Sequence, residues 1–447
     1  MLLQTIYDIN ISQYIKNVNT LKRGESLLNA LKEAIWGIPT LMTLTVFSLY
    51  FTRRTAFYRA SALRGIFRDT VLSLGRGKHS GISPLAAVAT ALGGTVGVGS
   101  IVGVGYAISV GGAGSIFWMW VCSFFGMGLK YAEVFVALKE RSVKNGSVSG
   151  GAPHRLREMG YKRLAVAFCL LCITASFGTG NLTQVGAISA FLCEVGAAPD
   201  TRALICVAVI GVAVFGGRKR IAGINSVIIP ISCAIYIIAC VVILISNSSG
   251  IIPSLARILK EAFGFSAISG GFSGAMLSHV IREGFARSLF SNEAGMGSSP
   301  LAHATSSFGS PKAQAKWGIF EIFFDTFIVS TLTALCLLSC GSESPADMFF
   351  ATFGNFGGYI YGLLAAVLAF ASVISWCYYA ECCISFLLPN FGIAVFVYRA
   401  FFSLAAVAGV FMSDGAIWDI ADILNALMLM PNLFLLFKCR KEIERME

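Results

Sequence analysis

The chain has 447 residues, of which 56% are hydrophobic and 13% charged, with a net charge of +11 and a mean hydropathy of +0.75. No soluble core absorbs that much apolar surface, so the composition excludes a water-soluble domain and predicts an all-α polytopic membrane protein. The positive charge lies in clusters between apolar runs, which reads as membrane topology and not as a nucleic-acid surface.

The first thirty residues include Asp8, Lys16, Lys22, Arg23 and Glu25. They lack the short apolar core and small-residue cleavage site of a signal peptide, so the first spanning helix is expected to direct insertion. Apolar runs of spanning length then predict about eleven helices: 34–50, 84–110, 114–138, 164–192, 203–215, 224–245, 267–285, 317–340, 356–388, 393–411 and 416–437. The connection after the first helix carries Arg53, Arg54, Arg59, Arg64, Arg68, Arg76 and Lys78 against Asp69. The positive-inside rule places it in the cytoplasm and the N-terminus outside. Alternation from there puts the basic clusters around Lys139, Arg218, Lys312 and Lys438 inside, including the C-terminus, and leaves Glu194, Asp200, Glu343, Asp347 and Asp414 outside with Arg257 and Lys260. The expected location is the plasma (inner) membrane of a bacterium.

Residues Gly93 to Gly105 read GGTVGVGSIVGVG inside the second span. Each glycine costs a helix about 1 kcal/mol relative to alanine, and unpaired backbone in hydrocarbon costs several more. The pattern predicts a broken helix that presents bare carbonyls and amides to an ion and a small polar solute. A second break is expected at Ser269–Ala275, SGGFSGA, in the seventh span. Five helices separate the two, so they run in opposite directions, the mark of an inverted repeat. The expected organisation is an N-terminal segment with one extra helix (1–83), a first repeat half (84–246), a second half (247–437) and a cytoplasmic tail (438–447). Close helix packing through small residues is the alternative for either glycine cluster.

The thirteen cysteines lie mostly in apolar runs, such as Cys169, Cys172, Cys336 and Cys340, and read as reduced packing residues. His79, His154, His279 and His303 form no ligand-spaced pair, and no HExxH or nucleophile motif occurs, so an enzyme is not expected and no prosthetic cofactor is called for. A channel would carry a polar stripe along several helices, which these runs lack.

Several strings in order along the chain resemble the alanine or glycine:cation symporters: GTVGVGSIVGVGYAISVGGAGSIFWMW, GMGLKYAEV, SFGTGNLTQ, GFARSLFSNEAGMGSSPLAHA, WGIFEIFFDTFIVSTLTAL, ISWCYYAECC and MPNLFLL. The resemblance implies the five-plus-five inverted-repeat (LeuT-like) fold and sodium-coupled uptake of a small neutral amino acid such as alanine or glycine by a monomer in the lipid bilayer. Protons are the alternative coupling ion, because the chain departs from the family pattern at Ser100, Gly186, Ala371 and Cys382. An uncoupled carrier or exchanger on the same scaffold is a further alternative.

A zwitterion needs donors for its carboxylate and acceptors for its ammonium, and sodium needs about five oxygens. Thr95, Gly97, Gly99, Gly271 and Phe272 are the candidates for substrate contact. Gln184 joins them through the resemblance, and Trp376 either walls the pocket or packs. For sodium, the candidates are the backbone of Gly93 and Val96 with the hydroxyls of Ser372 and Ser375; a membrane serine bonded to its own helix is the alternative. Asn181 either contacts substrate or makes an interhelical hydrogen bond, and Phe177 is a weaker candidate for the pocket wall. Buried acids need partners. Glu133 is expected to pair locally with Lys130, and Glu321, Asp325 and Glu381 to join Arg282 and Arg287 in a cytoplasmic gate, with a proton relay as the alternative. Asn292 and Glu293 of SNEAGMGS are expected to cap a short helix at that gate.

Overall fold

The computed structural model describes residues 34–55, 82–144, 147–263, 273–307, 310–342, 344–389, 391–412 and 414–444. Helix α1 covers Ile38–Arg54. The next span is in two pieces, α2 (Pro84–Thr95) and α3 (Val98–Gly111), and α4 follows at Gly114–Lys139. A hairpin pairs β1 (Ser142–Lys144) with β2 (Ser147–Ser149). Then come α5 (Ala152–Glu158), α6 (Lys162–Phe177), a π-helical turn at Gly178–Leu182, and α7 (Thr183–Glu194). Helices α8 (Pro199–Val214), α9 (Gly217–Ser246), α10 (Ile251–Ala262), α11 (Ser273–Asn292) and α12 (Pro300–Ala304) lead to α13 (Pro311–Ile322). A second π-helical stretch, Phe323–Ser330, runs into α14 (Thr331–Cys340). The chain ends with α15 (Pro345–Phe353), α16 (Asn355–Leu387), α17 (Gly392–Phe411) and α18 (Asp414–Glu444).

Local chemistry sets several ends. Ser83 accepts from the Ala86 amide and Pro84 opens α2, so two of the cues for a helix start coincide. Ser344 and Asp347 form a reciprocal capping box on α15.

Eight helices among the described residues are long and apolar enough to cross a membrane: Pro84–Gly111 taken with its break, Gly114–Lys139, Lys162–Glu194, Gly217–Ser246, Pro311–Cys340, Asn355–Leu387, Gly392–Phe411 and Gly415–Glu444. The other three expected spans coincide with helices that are shorter or more polar. Helix α1 has 17 residues, α8 has 16, and the 20 residues of α11 include His279, Arg282, Glu283 and Arg287. The molecule is thus an all-α membrane protein.

A second interruption lies after α11, at Glu293–Ser299, while residues 269–272 of the expected break lie outside the described residues. Gly271 and Phe272 lie outside the described residues, and Ser273–Ala275 open a helix that runs unbroken to Asn292. The chain leaves the helix at Glu293 (φ 53°), passes Gly295 (φ 91°) and Gly297 (φ 75°), and resumes at Pro300. Those angles are left-handed, which glycine adopts freely. The freed amides of Gly295 and Gly297 donate to the Glu133 carboxylate at 3.0 and 2.8 Å. A break survives in an apolar setting only where its backbone is met.

Helix α16 is the central post, buried along most of its length, with Trp376, Tyr378 and Tyr379 among the largest enclosed side chains. It touches α2, α6, α7 and α9. The exposed apolar residues lie instead on outer helices, such as Ile231, Ile235 and Ile238 of α9 and Phe396, Phe401 and Leu404 of α17, a surface that a bilayer covers.

Helix α1 docks on α4 where Gly128 lets the backbones meet: a Cβ there would lie 2.6 Å from Thr52 Cα and 2.8 Å from its amide nitrogen. The Thr52 hydroxyl donates to the Phe125 carbonyl at 3.0 Å. Gly128→Val is expected to push α1 off and cost about 1–3 kcal/mol, read as a lower melting temperature of the detergent-purified protein. Thr52→Ala, which loses only the hydrogen bond, should cost about 1 kcal/mol. Equal melting temperatures for Gly128→Val and the parent would refute this contact.

Candidate binding site at the helix break

Between α2 and α3 the chain abandons helical geometry at two residues only, Val96 (φ −82°, ψ 71°) and Gly97 (φ −122°, ψ −140°). The Gly97 amide turns back to the Thr95 carbonyl at 2.9 Å. The Val98 amide, which a continuous helix would have paired within itself, donates to Gln184 Oε1 of α7 at 3.2 Å. Gln184 is aimed by its own amide group, which donates to the Thr179 carbonyl at 3.3 Å in the π-helical turn. On the opposite side the Ser372 hydroxyl of α16 donates to the Gly94 carbonyl at 3.2 Å. Gly97 is held between these two: a Cβ there would lie 2.9 Å from Ser372 Cβ and 3.0 Å from Gln184 Oε1.

The structure therefore brings Gly97, Gln184 and Ser372 together. Gly99 lies beside them, where a Cβ would meet the Phe290 ring at 2.9 Å and Ser291 Cα at 3.1 Å. Thr95 contributes backbone, since its hydroxyl is engaged with the Ala91 and Leu92 carbonyls of its own helix, each at 3.3 Å. Val96 is fully buried. Trp376 packs over Gly180 and makes an edge contact with Tyr379, ring centroids 5.6 Å apart. Its buried indole nitrogen has no hydrogen-bond partner among the described residues.

Ser375 behaves differently from Ser372. It donates to the Ala371 carbonyl of its own helix at 2.8 Å and accepts from Asn225 Nδ2 of α9, also at 2.8 Å. It still borders the break, 2.6 Å from where a Gly93 Cβ would stand. Asn181 makes the interhelical bond, donating to the Phe402 carbonyl at 2.7 Å. Phe177 packs edge-on against Tyr398 and Phe402.

Among the described residues the ion pairs of Arg287, Glu321 and Glu381 fall in separate clusters and not in the one expected network. Arg287 pairs with Asp422 of α18, and its guanidinium lies over Tyr106, Phe290 and Trp418 at 5.1, 5.6 and 4.8 Å. Tyr106 and Trp418 stack at 5.4 Å, so this cluster closes the side of the break toward the end of α3. Glu321 belongs to the other side. Lys130 Nζ donates to it at 3.3 Å, to Ser299 Oγ at 2.8 Å and to the Glu293 carbonyl at 3.1 Å. His303 Nε2 meets the second Glu321 oxygen at 3.0 Å, with Gln314 on the other ring nitrogen at 2.8 Å. Lys130 thus reaches across to α13, and Glu133 turns to the second break and to Asn432 of α18. Glu381 takes a two-pronged grip from Arg399, at 2.7 and 2.9 Å. Asp325 is met by the hydroxyls of Ser100, Ser291 and Thr326.

Asn292 does not cap a helix start. Its Oδ1 accepts from the Ala294 amide at 3.0 Å as α11 ends, and Glu293 takes the Ser298 hydroxyl at 2.5 Å. Backbone groups at a helix end need partners beyond the helix; Asn292 supplies one for the Ala294 amide, and the Glu293 carboxylate ties the Ser298 hydroxyl into the turn.

Asn225, Ser291, Asp422 and Tyr379 were not among the sequence candidates. Tyr379 reaches the Thr90 and Ala91 carbonyls at 3.2 and 3.4 Å. Their common signal is a polar side chain inside an otherwise apolar run, which is present at many other positions and does not by itself point to the break.

A family model described as the sodium:alanine symporter family matches residues 21–446. The chain is 36% identical over 437 residues to an uncharacterized transporter of Haemophilus influenzae, covering 94% of each chain. It is 35% identical over 432 residues to the sodium/alanine symporter AgcS of Methanococcus maripaludis, covering 91% of this chain and 93% of the relative. It is 30% identical over 421 residues to the amino-acid carrier protein AlsT of Bacillus subtilis, covering 92% and 89%. The break, the residues that line it and these relatives converge: the chain belongs to the sodium:alanine symporter family, a family of membrane transporters and not of enzymes.

Proposed function

We propose that this protein carries a small neutral amino acid, alanine or glycine, into the cell by sodium-coupled symport with alternating access. The observation that carries the reading is the break at Val96–Gly97, where a backbone interruption lies between a glutamine and a serine on facing helices. Backbone amides and Gln184 meet the two ends of the zwitterion, and Gly97 and Gly99 leave room only for a small side chain. Trp376 walls the pocket and its free indole N–H supplies a further donor.

Sodium takes the Gly94 carbonyl and the Ser372 hydroxyl, with the Gly93 and Val96 carbonyls as the remaining protein oxygens; Ser375 holds Asn225 and shapes the same corner. Eleven crossings, with the N-terminus outside and the C-terminus inside, place the break of α2 and α3 and the break at Glu293–Ser299 in opposite halves of an inverted repeat. Arg287, Asp422 and their three aromatic neighbours then form the outer closure, and Lys130, Glu293, Glu321 and His303 the inner one. The functional unit is a single chain. The second reading, proton coupling, is favoured by the number of carboxylates enclosed near the break, Asp325 and Glu293 among them.

Reconstituted protein should take up labelled alanine when an inward sodium gradient is imposed, and not when a proton gradient alone is imposed. Uptake driven equally by protons would replace sodium in this reading. Gly97→Leu should abolish uptake in a protein that remains monodisperse by size-exclusion chromatography, because the side chain has no space between Ser372 and Gln184; normal uptake would remove the break from the site. Ser372→Ala, which removes one of about five oxygens, should raise the sodium concentration for half-maximal uptake roughly tenfold, equivalent to about 1.4 kcal/mol, with little change at saturating sodium.

A further inference from the structure

We propose that the cleft between the closing turns of α1 and α18 binds one anionic phospholipid, with its phosphate on Arg54 and Arg440 and an acyl chain in the aromatic trough beside them. The site depends neither on the transport reading above nor on which leaflet faces the cytoplasm.

Helices α1 and α18 are tied at both ends. The Trp36 indole N–H, just before α1, donates to the Asp422 carbonyl at 3.1 Å, and the Tyr50 hydroxyl donates to the Glu444 carboxylate. Near that second tie lies a trough of about 220 Å³ lined by Val46, Phe47, Tyr50, Phe51, Phe437 and Arg440. Its rings stand apart, Phe47 being 6.3 Å from Phe51 and 6.2 Å from Phe437. Phe51 is the buried floor, and Val46 and Phe437 are exposed lips. The volume falls below the roughly 300–1,000 Å³ of pockets that enclose a drug-sized solute. The occupant is therefore one part of a longer molecule, and in hydrocarbon an acyl chain meets that description.

The charge at the rim selects the headgroup. The Arg440 guanidinium lies over the Phe437 ring, 4.2 Å from its centroid. Among the described residues it donates only to the Phe437 carbonyl, at 2.8 Å, which uses one of its five N–H donors. Arg54 approaches Glu444 at 3.8 Å, an exposed pair of little strength, and Glu444 also holds Tyr50. Glu442 is committed elsewhere, to Lys139 and Arg155 at 2.5 Å each, and Lys438 lies over Tyr161 and Phe434. The rim thus keeps Arg53, Arg54, Arg440 and Lys441 against Glu444. Cations at helix C-termini also suit the helix dipole, which accounts for the charge but not for the trough beside it. Guanidinium grips phosphate through paired bonds, and a basic pocket between membrane helices recognises anionic headgroups. Tyr50 is of the residue type that anchors at headgroup depth.

The test is native mass spectrometry of the detergent-purified protein titrated with phosphatidylglycerol, phosphatidylcholine or glycerol phosphate. The parent is expected to hold one phosphatidylglycerol per chain at least tenfold more tightly than phosphatidylcholine, and to bind no glycerol phosphate, which has no chain for the trough. The double variant Arg54→Gln, Arg440→Gln should lose that tenfold preference. Lys219→Gln, which removes an exposed charge from α9, should keep it. Val46→Trp leaves every charge in place and fills the trough from its exposed lip, so it should lose the bound lipid while its melting temperature without lipid matches the parent's. Equal retention of the two lipids by the parent would overturn the proposal, as would equal losses in Lys219→Gln and the double variant. A Val46→Trp protein that binds phosphatidylglycerol as the parent does would overturn it too. So would a parent that holds no phosphatidylglycerol and runs as a dimer, which gives the trough to a second copy of the chain.

Discussion

Two residues of non-helical backbone in the middle of an apolar span impose the main constraint on this structure. At Val96 and Gly97 the helix hydrogen-bond ladder lapses, and carbonyls and amides that water would otherwise satisfy must be met from protein or from cargo. Gln184 reaches in from α7, Ser372 from α16, and Ser100 turns back toward Thr95. Two of these three residues are fixed from behind, Gln184 by the Thr179 carbonyl and Ser100, through its backbone carbonyl, by Thr333. The π-helical turns at Gly178–Leu182 and Phe323–Ser330 belong to the same arrangement, because both lie on the helices that supply those contacts.

Buried charge is partitioned around the break, not pooled. On the α3 side Arg287 is enclosed by Tyr106, Phe290 and Trp418 and neutralised by Asp422. On the other side Lys130 and His303 share Glu321. A low-dielectric interior makes each pair a unit that is costly to split but cheap to move whole. Each pair therefore ties two helices together, Arg287–Asp422 joining α11 to α18 and Lys130–Glu321 joining α4 to α13, and a movement of either helix against its partner would have to split a buried pair.

Much of the architecture was legible before any coordinates. The helices follow from long apolar runs, and the first break from the glycine run 93–105, because glycine weakens a helix enough for side-chain partners to win. Ser372 was expected near the break from an inverted repeat and Gln184 from the resemblance, and both side chains do meet its backbone. The break after α11 was not expected, for a physical reason. SGGFSGA has more glycine per residue than SNEAGMGS, but what holds the second segment open is Glu133 on α4, 162 residues away from Gly295. Long-range pairing was the general blind spot. Glu133 and Lys130 are three apart and looked like partners, yet a helix face that packs on two neighbours sends adjacent charges in different directions.

The two breaks are closer in space than in sequence. Ser100 follows the first by three residues from Gly97, Ser291 precedes the second by two residues from Glu293, and their hydroxyls are 3.1 Å apart over the same Asp325 carboxylate. A change in backbone at either break therefore alters the oxygen geometry that the other break presents. Coupling between ion and solute needs a shared element whose state both ligands bias. Under the proposed sodium coupling, the Asp325 carboxylate clasped by serines from both interrupted helices is such an element, one hydrogen bond from each.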